Sequence, residues 1–548
     1  MGGESRHSGM IVDIDGRRAF PGEVVVSDGR IVSVDEVACA VDPGFLCPGF
    51  IDAHVHIESS MLTPPEFGRI AVTHGTTGTV SDPHEIANVL GVEGVRYMLD
   101  LADRTPLKIH FGIPSCVPAT SFETAGAVIG PDEVGELCRD ERLGYLSEMM
   151  NFPGVIHGDP EVMRKLELAR QHGRPIDGHA PGLSGDDLRA YAAAGISTDH
   201  ECFRIREARE KLALGIKILI REGSAARNFD ELWPLLTTHP ESCMLCSDDK
   251  HPDDLMVGHI DRLCARAVGL GADGFDVLRA ACVNPVEHYR MRCGLLRPGD
   301  AADFIRLRDL NTFAVVGTWI DGDCVAREGV PLLPLVRPPV INRFHAGTTR
   351  ADDFAIPAEA GTLRVIEALE GQIVTDEGEA EALVRDGMAC ADPTRDLLKI
   401  TVVNRYEARP PAAAFVRGIG LRQGAIASSV AHDCHHLVAV GADDDSLARA
   451  VNLLVTNGGG IAVAGPDGDE VLPLPVAGLM SDRPAQEVAR GYAALTRRAN
   501  ALGSPLQAPF MTLSFLALLV IPRLKLGDRG LFDGSRFEFV PLFRGNDG

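Results

Sequence analysis

Positive charge is scarce in this chain of 548 residues. Its 53 lysines and arginines stand against 77 aspartates and glutamates, a formal net charge of −24. Nucleic-acid affinity rests on clustered cations, so this balance argues against a phosphate-backbone binder. Long apolar runs are also missing. The longest, "PFMTLSFLALLVIP" (509–522), is too short to span a bilayer and is bounded by prolines, which fits a buried helix or strand. The opening "MGGESRHSGM" lacks the apolar core of a signal peptide. The 13 cysteines show no disulfide-framework spacing, so the expected location is a reducing cytoplasm. No phosphate-binding GxxxxGK[ST] loop occurs, and "NGGGIAVAG" (457–465) reads as a tight turn between a helix and a strand.

What is present is strand–helix alternation. Residues from about Met10 to Cys47 read as short strands with Asp-Gly turns. From Pro48 the texture changes. Short apolar runs ending in polar residues ("FIDAHVH", "TTGTVSDPHE", "LKIHFGIPSC", "LGYLSEMMN", "PIDGHAPG", "GISTDHE", "GIKILIREGS", "SCMLCSDDKH") alternate with helical patterns such as "EVMRKLELARQHG". About eight such units in roughly 245 residues is the size of a (β/α)8 barrel. The strand texture returns near Leu296, in "RPGDAADFIRLRDLNTFAVVGTWIDGDCVAREG". The expected architecture is α/β. A barrel over 48–295 is joined to a small β-sandwich domain from both flanks (1–47 and 296–345). A further α+β domain of 351–548 follows a Pro-rich crossing segment.

The ends of the barrel runs carry a set of ligand-type residues. The first ends in His54 and His56, which a strand places on one face. The fourth ends in Glu148, the fifth in His179, the sixth in His200, and the last in Asp248 and Asp249. Barrel chemistry sits at the C-terminal ends of the strands. Singly, each residue reads as a satisfied core histidine or a helix-capping carboxylate. Together they form one mouth of N and O donors without thiolate, suited to Zn, Mn or Fe(II). "SDPHE" after the second strand reads equally as a Pro-led helix start and as Asp82, His84 and Glu85 facing the mouth. "HPESCMLC" carries the HxE and CxxC residue types of zinc nucleoside-type deaminases. Cys243 and Cys246 are three apart on one strand, though, and point to opposite faces. "AHDCHHL" (431–437) stays open between a polar strand end and a second His-rich site, with His432, Asp433, His435 and His436 unassigned.

The order HxH, acid, His, His, Asp resembles the amidohydrolase superfamily, and within it the adenine deaminases. The resemblance rests on "PGFIDAHVHIESSMLTP", "SDPHEIANVLG", "EMMNFPGVI", "DGHAPGLSG" and "SDDKHPDDL". It extends to "GAIASSVAHDCHHL", "LPLPVAGLMSD" and "APFMTLSFLALLVIPRLKLGDRGLFD" near the C-terminus. Two departures are a shorter segment before the barrel and His436 where a polar amide is expected. The resemblance implies hydrolytic deamination of adenine to hypoxanthine and ammonia, in purine salvage, with one or two divalent ions (Mn2+ or Fe2+, Zn2+ as an alternative). It implies that His54, His56, Glu148 and Asp248 hold the more buried ion, and that Glu148, His179 and His200 hold the other. Asp248 is then the proton shuttle and Glu148 the bridge. Glu58, His84, Glu85 and Glu201 are left as groups that handle the purine, with "IESSM" a loop at the mouth. The expected partners are adenine and further copies of the chain, in a dimer or larger homo-oligomer, without nucleic acid or membrane. The alternatives are another amidohydrolase, acting on a cyclic amide or a different aminated nucleobase, and a metal-free scaffold that has lost the ligands.

Overall fold

The computed structural model describes residues 4–545 except residue 225. Eight short strands run in sequence order around one sheet: Phe50–Val55, Thr76–Ser81, Lys108–Ile113, Leu143–Met149, Ile176–Gly178, Thr198–Asp199, Lys217–Arg221 and Cys243–Cys246. All neighbouring pairs are parallel. The eighth strand closes onto the first through a parallel bridge between Val55 and Asp248, where the Asp248 amide donates to the His54 carbonyl at 2.9 Å. The eight runs seen in the sequence are therefore the eight staves of a closed barrel. Their interior is nearly all buried, as a parallel sheet covered by helices requires. Cys243 and Cys246 are both buried in the last strand and pack into different apolar clusters, so the CxxC is core. All thirteen cysteines are free thiols.

Strands from both flanks of the barrel pair in a second eight-stranded sheet. Phe45–Pro48 lies between Ser5–Asp13, which it meets in parallel, and Phe304–Leu307, which it meets antiparallel. Asp303 joins this sheet to the barrel. Its fully buried carboxylate accepts from Lys108 Nζ (2.6 Å), the Gly294 amide (2.8 Å) and the Asp321 amide (2.9 Å). Residues 332–350 cross to the C-terminal region with no regular structure.

The C-terminal region is built on a nine-stranded mixed sheet. Helix Asp444–Asn457 packs on it, and Gly458–Gly460, all at positive φ, turn the chain from that helix into strand Gly460–Gly465. This is the turn expected of the Gly cluster; glycine alone adopts such angles freely. The region docks on the barrel through polar contacts as well as apolar ones. The Ala485 amide donates to Glu66 Oε2 (3.0 Å), the Ser481 amide to the Met61 carbonyl (2.9 Å), and Thr124 Oγ1 to Asp528 Oδ2 (2.6 Å). The long apolar run begins as buried helix Pro509–Phe515. Among the described residues no helix is long and apolar enough to cross a membrane.

Asp303→Ala leaves the Gly294 and Asp321 amides without their acceptor and Lys108 with Asp321 as its remaining carboxylate (2.8 Å), so it should destabilise the protein by about 1–3 kcal/mol. Thermal unfolding of the purified variant should show a lower midpoint, and an unchanged midpoint would show that Lys108 finds an equivalent partner.

Candidate active site at the barrel mouth

The C-terminal ends of the barrel strands bring His54, His56, Glu148, His179, His200 and Asp248 together. All are buried except His179, whose side chain retains 15% of its exposure. Glu148 sits between two pairs of imidazoles. Its Oε1 faces His56 Nε2 at 3.2 Å and His54 Nε2 at 4.0 Å. Its Oε2 faces His179 Nδ1 at 2.6 Å and His200 Nε2 at 3.2 Å. Asp248 closes the first half, with Oδ1 3.5 Å from His56 Nε2 and 3.9 Å from His54 Nε2. The backbone of Asp248 is left-handed (φ 55°), a conformation that costs a non-glycine residue about 1–3 kcal/mol and clusters at functional sites.

The surrounding groups fix these orientations. His56 Nδ1 donates to the Asp82 carbonyl (3.2 Å), which leaves Nε2 as the free lone pair. The His179 amide donates to Tyr191 Oη (3.0 Å), whose hydroxyl donates to the Met149 carbonyl (2.9 Å). Buried Asp52 accepts from the Ser247 amide (2.9 Å) and pairs with His259 Nε2 (2.7 Å), tying the first strand to the eighth.

The donor set fits a divalent cation. His54 and His56 point their Nε2 atoms at each other across 3.2 Å. Two protonated imidazoles cannot share that space. Burial, with the charges of His200 and His56, pushes His54 well below its ordinary value; His56 stays well above it, because the Glu148 carboxylate outweighs burial and His84. Burial works against ionised Glu148 as well, but His179 and His200 hold it well below the usual carboxylate range. Four imidazoles and two carboxylates supply N and O donors of the kind a divalent ion takes. The groups His54–His56–Asp248 and His54–Glu148–His200 each converge within 4.8 Å.

The spacing argument missed Arg221, at the end of the seventh strand. Its guanidinium donates through Nη1 to Asp248 Oδ2 and grips Glu201 through Nη1 and Nη2, the latter at 2.8 Å to Oε2. Burial alone would raise the Asp248 carboxyl; Arg221 and the neighbouring histidines hold it well below the usual range. An arginine ending a strand is common, so only the three-dimensional pairing reveals this one.

The "SDPHE" segment satisfies both of its readings. Helix His84–Leu90 starts there, and His84 and Glu85 line the mouth. His84 Nδ1 pairs with Asp82 Oδ2 at 2.9 Å and lies 3.4 Å from Glu148 Oε1. Glu58 stands beside the cavity rather than in its lining. "IESS" is a turn of 3-10 helix rather than an open loop, and the Glu58 carboxylate turns inward to accept from the Ile86 amide (3.2 Å), outside the cavity lining. Burial pushes its carboxyl up to about 7. "AHDCHHL" reaches the barrel: His432 Nδ1 pairs with Glu85 Oε1 (2.6 Å), His435 Nε2 with Glu85 Oε2, and Asp433 lines the cavity. His436 stays within the C-terminal region, 3.6 Å from Asp528. The C-terminal region also roofs the mouth with Ile373, Phe515, Leu518, Val520 and Ile521.

A parallel barrel with an HxH first strand, an acid after the fourth, histidines after the fifth and sixth and an aspartate after the eighth defines an amidohydrolase. The model of the amidohydrolase family matches residues 45–325, and the adenine deaminase C-terminal domain matches residues 372–538. The chain belongs to the adenine deaminase family. It is 58% identical over 540 residues to the adenine deaminase of Salinibacter ruber, covering 98% of each chain. It is 52% identical to that of Methanosarcina barkeri over 548 residues and 53% identical to that of a Sulfurovum species over 534, with at least 97% of each chain covered.

Arg221→Met leaves two buried carboxylates without their shared cation. It should cost about 3–5 kcal/mol, with Arg221→Lys recovering only part because a point charge cannot grip both. Melting of both variants checks this; equal midpoints for Met and wild type would contradict it.

Proposed function

We propose that the chain hydrolyses adenine to hypoxanthine and ammonia at this mouth, as an adenine deaminase acting in purine salvage. The observation that carries the reading is Glu148 dividing two imidazole pairs opposite Asp248, beneath a roof supplied by the C-terminal region. His54, His56, Glu148 and Asp248 are suited to one divalent ion, and Glu148, His179 and His200 to a second, with Mn2+ or Fe2+ the metals we favour. Such an ion supplies the Lewis acidity that makes water nucleophilic at neutral pH.

The chain's own groups carry the protons. Asp248 Oδ2 is tied to Arg221, while Oδ1 faces the histidine cluster. Asp248 therefore accepts a proton from the attacking water and hands it to the amino nitrogen on C6, which leaves as ammonia. Glu201 follows the sixth strand and His84 the second, so they flank the mouth from opposite sides. We assign Glu201 to the N1 edge, where its carboxylate, held by Arg221, takes the remaining hydroxyl proton of the adduct and passes it to N1. His84 meets the N7 edge. Glu85, with both oxygens held by His432 and His435, positions the roof. The apolar residues above exclude bulk water, which strengthens each of these interactions.

Protein loaded with Mn(II) should release ammonia and hypoxanthine from adenine. Glu148→Gln and Asp248→Asn should each lower kcat by at least about 10³-fold. Turnover of a hydantoin or of cytosine with none of adenine would move the chain to another amidohydrolase reaction, and full activity of either variant would break the assignment of residues.

A further inference from the structure

We propose that Asp433, presented by the C-terminal region, reads the N–H of the five-membered ring and so restricts the enzyme to the free base. The inference rests on the adenine-deaminase reading above. Asp433 lies in the segment between strands Ala425–Ser428 and Leu437–Gly441, far in sequence from every barrel ligand. Its backbone is left-handed (φ 65°), as is that of His435 (φ 49°), a conformation a non-glycine residue keeps only when its surroundings enforce it. The enforcement comes from Glu85 of the barrel and from Tyr406 of the C-terminal region. Glu85 accepts from the Asp433 amide at 3.2 Å, from His432 Nδ1 at 2.6 Å and from His435 Nε2, while Tyr406 Oη donates to the Cys434 carbonyl at 2.8 Å.

The result is a carboxylate turned into the mouth. Asp433 is only 3% exposed, and its nearest charged partner is His84, at 3.4 Å from Oδ1 to Nε2. Among the described residues no lysine or arginine pairs with it. A buried carboxylate with spare acceptor capacity calls for a donor. Beside it, the Phe515 ring stacks on His432 with centroids 4.6 Å apart and planes 14° from parallel, and Leu518 and Ile521 continue that surface. A flat heterocycle lying against an apolar wall, with an N–H at its rim, matches this combination. Adenine has that N–H on its imidazole ring. A substituent on N9 removes it and places bulk against the roof. With His84 on the N7 side of the ring, as proposed above, its neighbour Asp433 falls on the five-membered ring rather than beside C6.

A site built to accept a hydrogen bond rejects an analogue that lacks the donor. The test uses Mn(II)-loaded wild type, Asp433→Asn and Asp433→Ala, assayed with adenine and with 9-methyladenine. Wild type should favour adenine by at least about 100-fold in kcat/KM. Asp433→Asn should raise KM for adenine about tenfold or more, with kcat within about threefold, and should shrink the preference over 9-methyladenine at least tenfold. Loss of kcat with KM unchanged, or a preference that does not move, would overturn the proposal and leave Asp433 as a support for His84. Failure of wild type to act on adenine would instead overturn the functional reading, so the two failures are distinguishable.

Discussion

The Glu148 carboxylate, held between two pairs of imidazoles, sets the terms for the rest of the molecule. Ionisable groups this close and this dry are costly unless a cation joins them. The neighbouring structure is arranged around that cost. The Nε2 atoms of His54 and His56, 3.2 Å apart, carry the same cost: one proton between two facing nitrogens satisfies neither. A divalent ion would take both lone pairs and neutralise the carboxylates at once.

Two further devices follow. Arg221 supplies fixed positive charge to Asp248 and Glu201, so the two acids share one rigid support. The C-terminal region supplies the roof. Its segment 431–436 is anchored on Glu85, next to His84, so the docking of that region and the shape of the mouth are one arrangement. Asp303 plays the corresponding role at the other flank, where the strands of both barrel ends meet.

Much of this was legible in the sequence because parallel strands reveal themselves twice, as apolar runs and as polar residues at their ends. His54, His56, Glu148, His179, His200 and Asp248 all end such runs, and the structure brings all six together. Period-based reading places a residue on an element; it does not say which way a loop carboxylate turns. Glu58, two residues past His56, was one of four candidates for handling the purine; its Oε1 accepts from the Ile86 amide. Arg221 was hidden for the opposite reason: it sits at a strand end like the ligands, but its meaning lies in partners 20 and 27 residues away. Asp433 and His432 could be flagged as polar and His-rich, while their arrival at the barrel depends on docking between distant segments, which no local pattern encodes.

The central claim is that a divalent cation holds the six-residue cluster together. It is tested most directly by thermal unfolding of chelator-stripped protein, before and after Mn(II) is restored, alongside Glu148→Gln. The account predicts a lower midpoint for stripped wild type, recovery with about one or two bound ions per chain, and little recovery in the variant. A stripped protein that melts like the loaded one, binds no metal and still turns over adenine would contradict it.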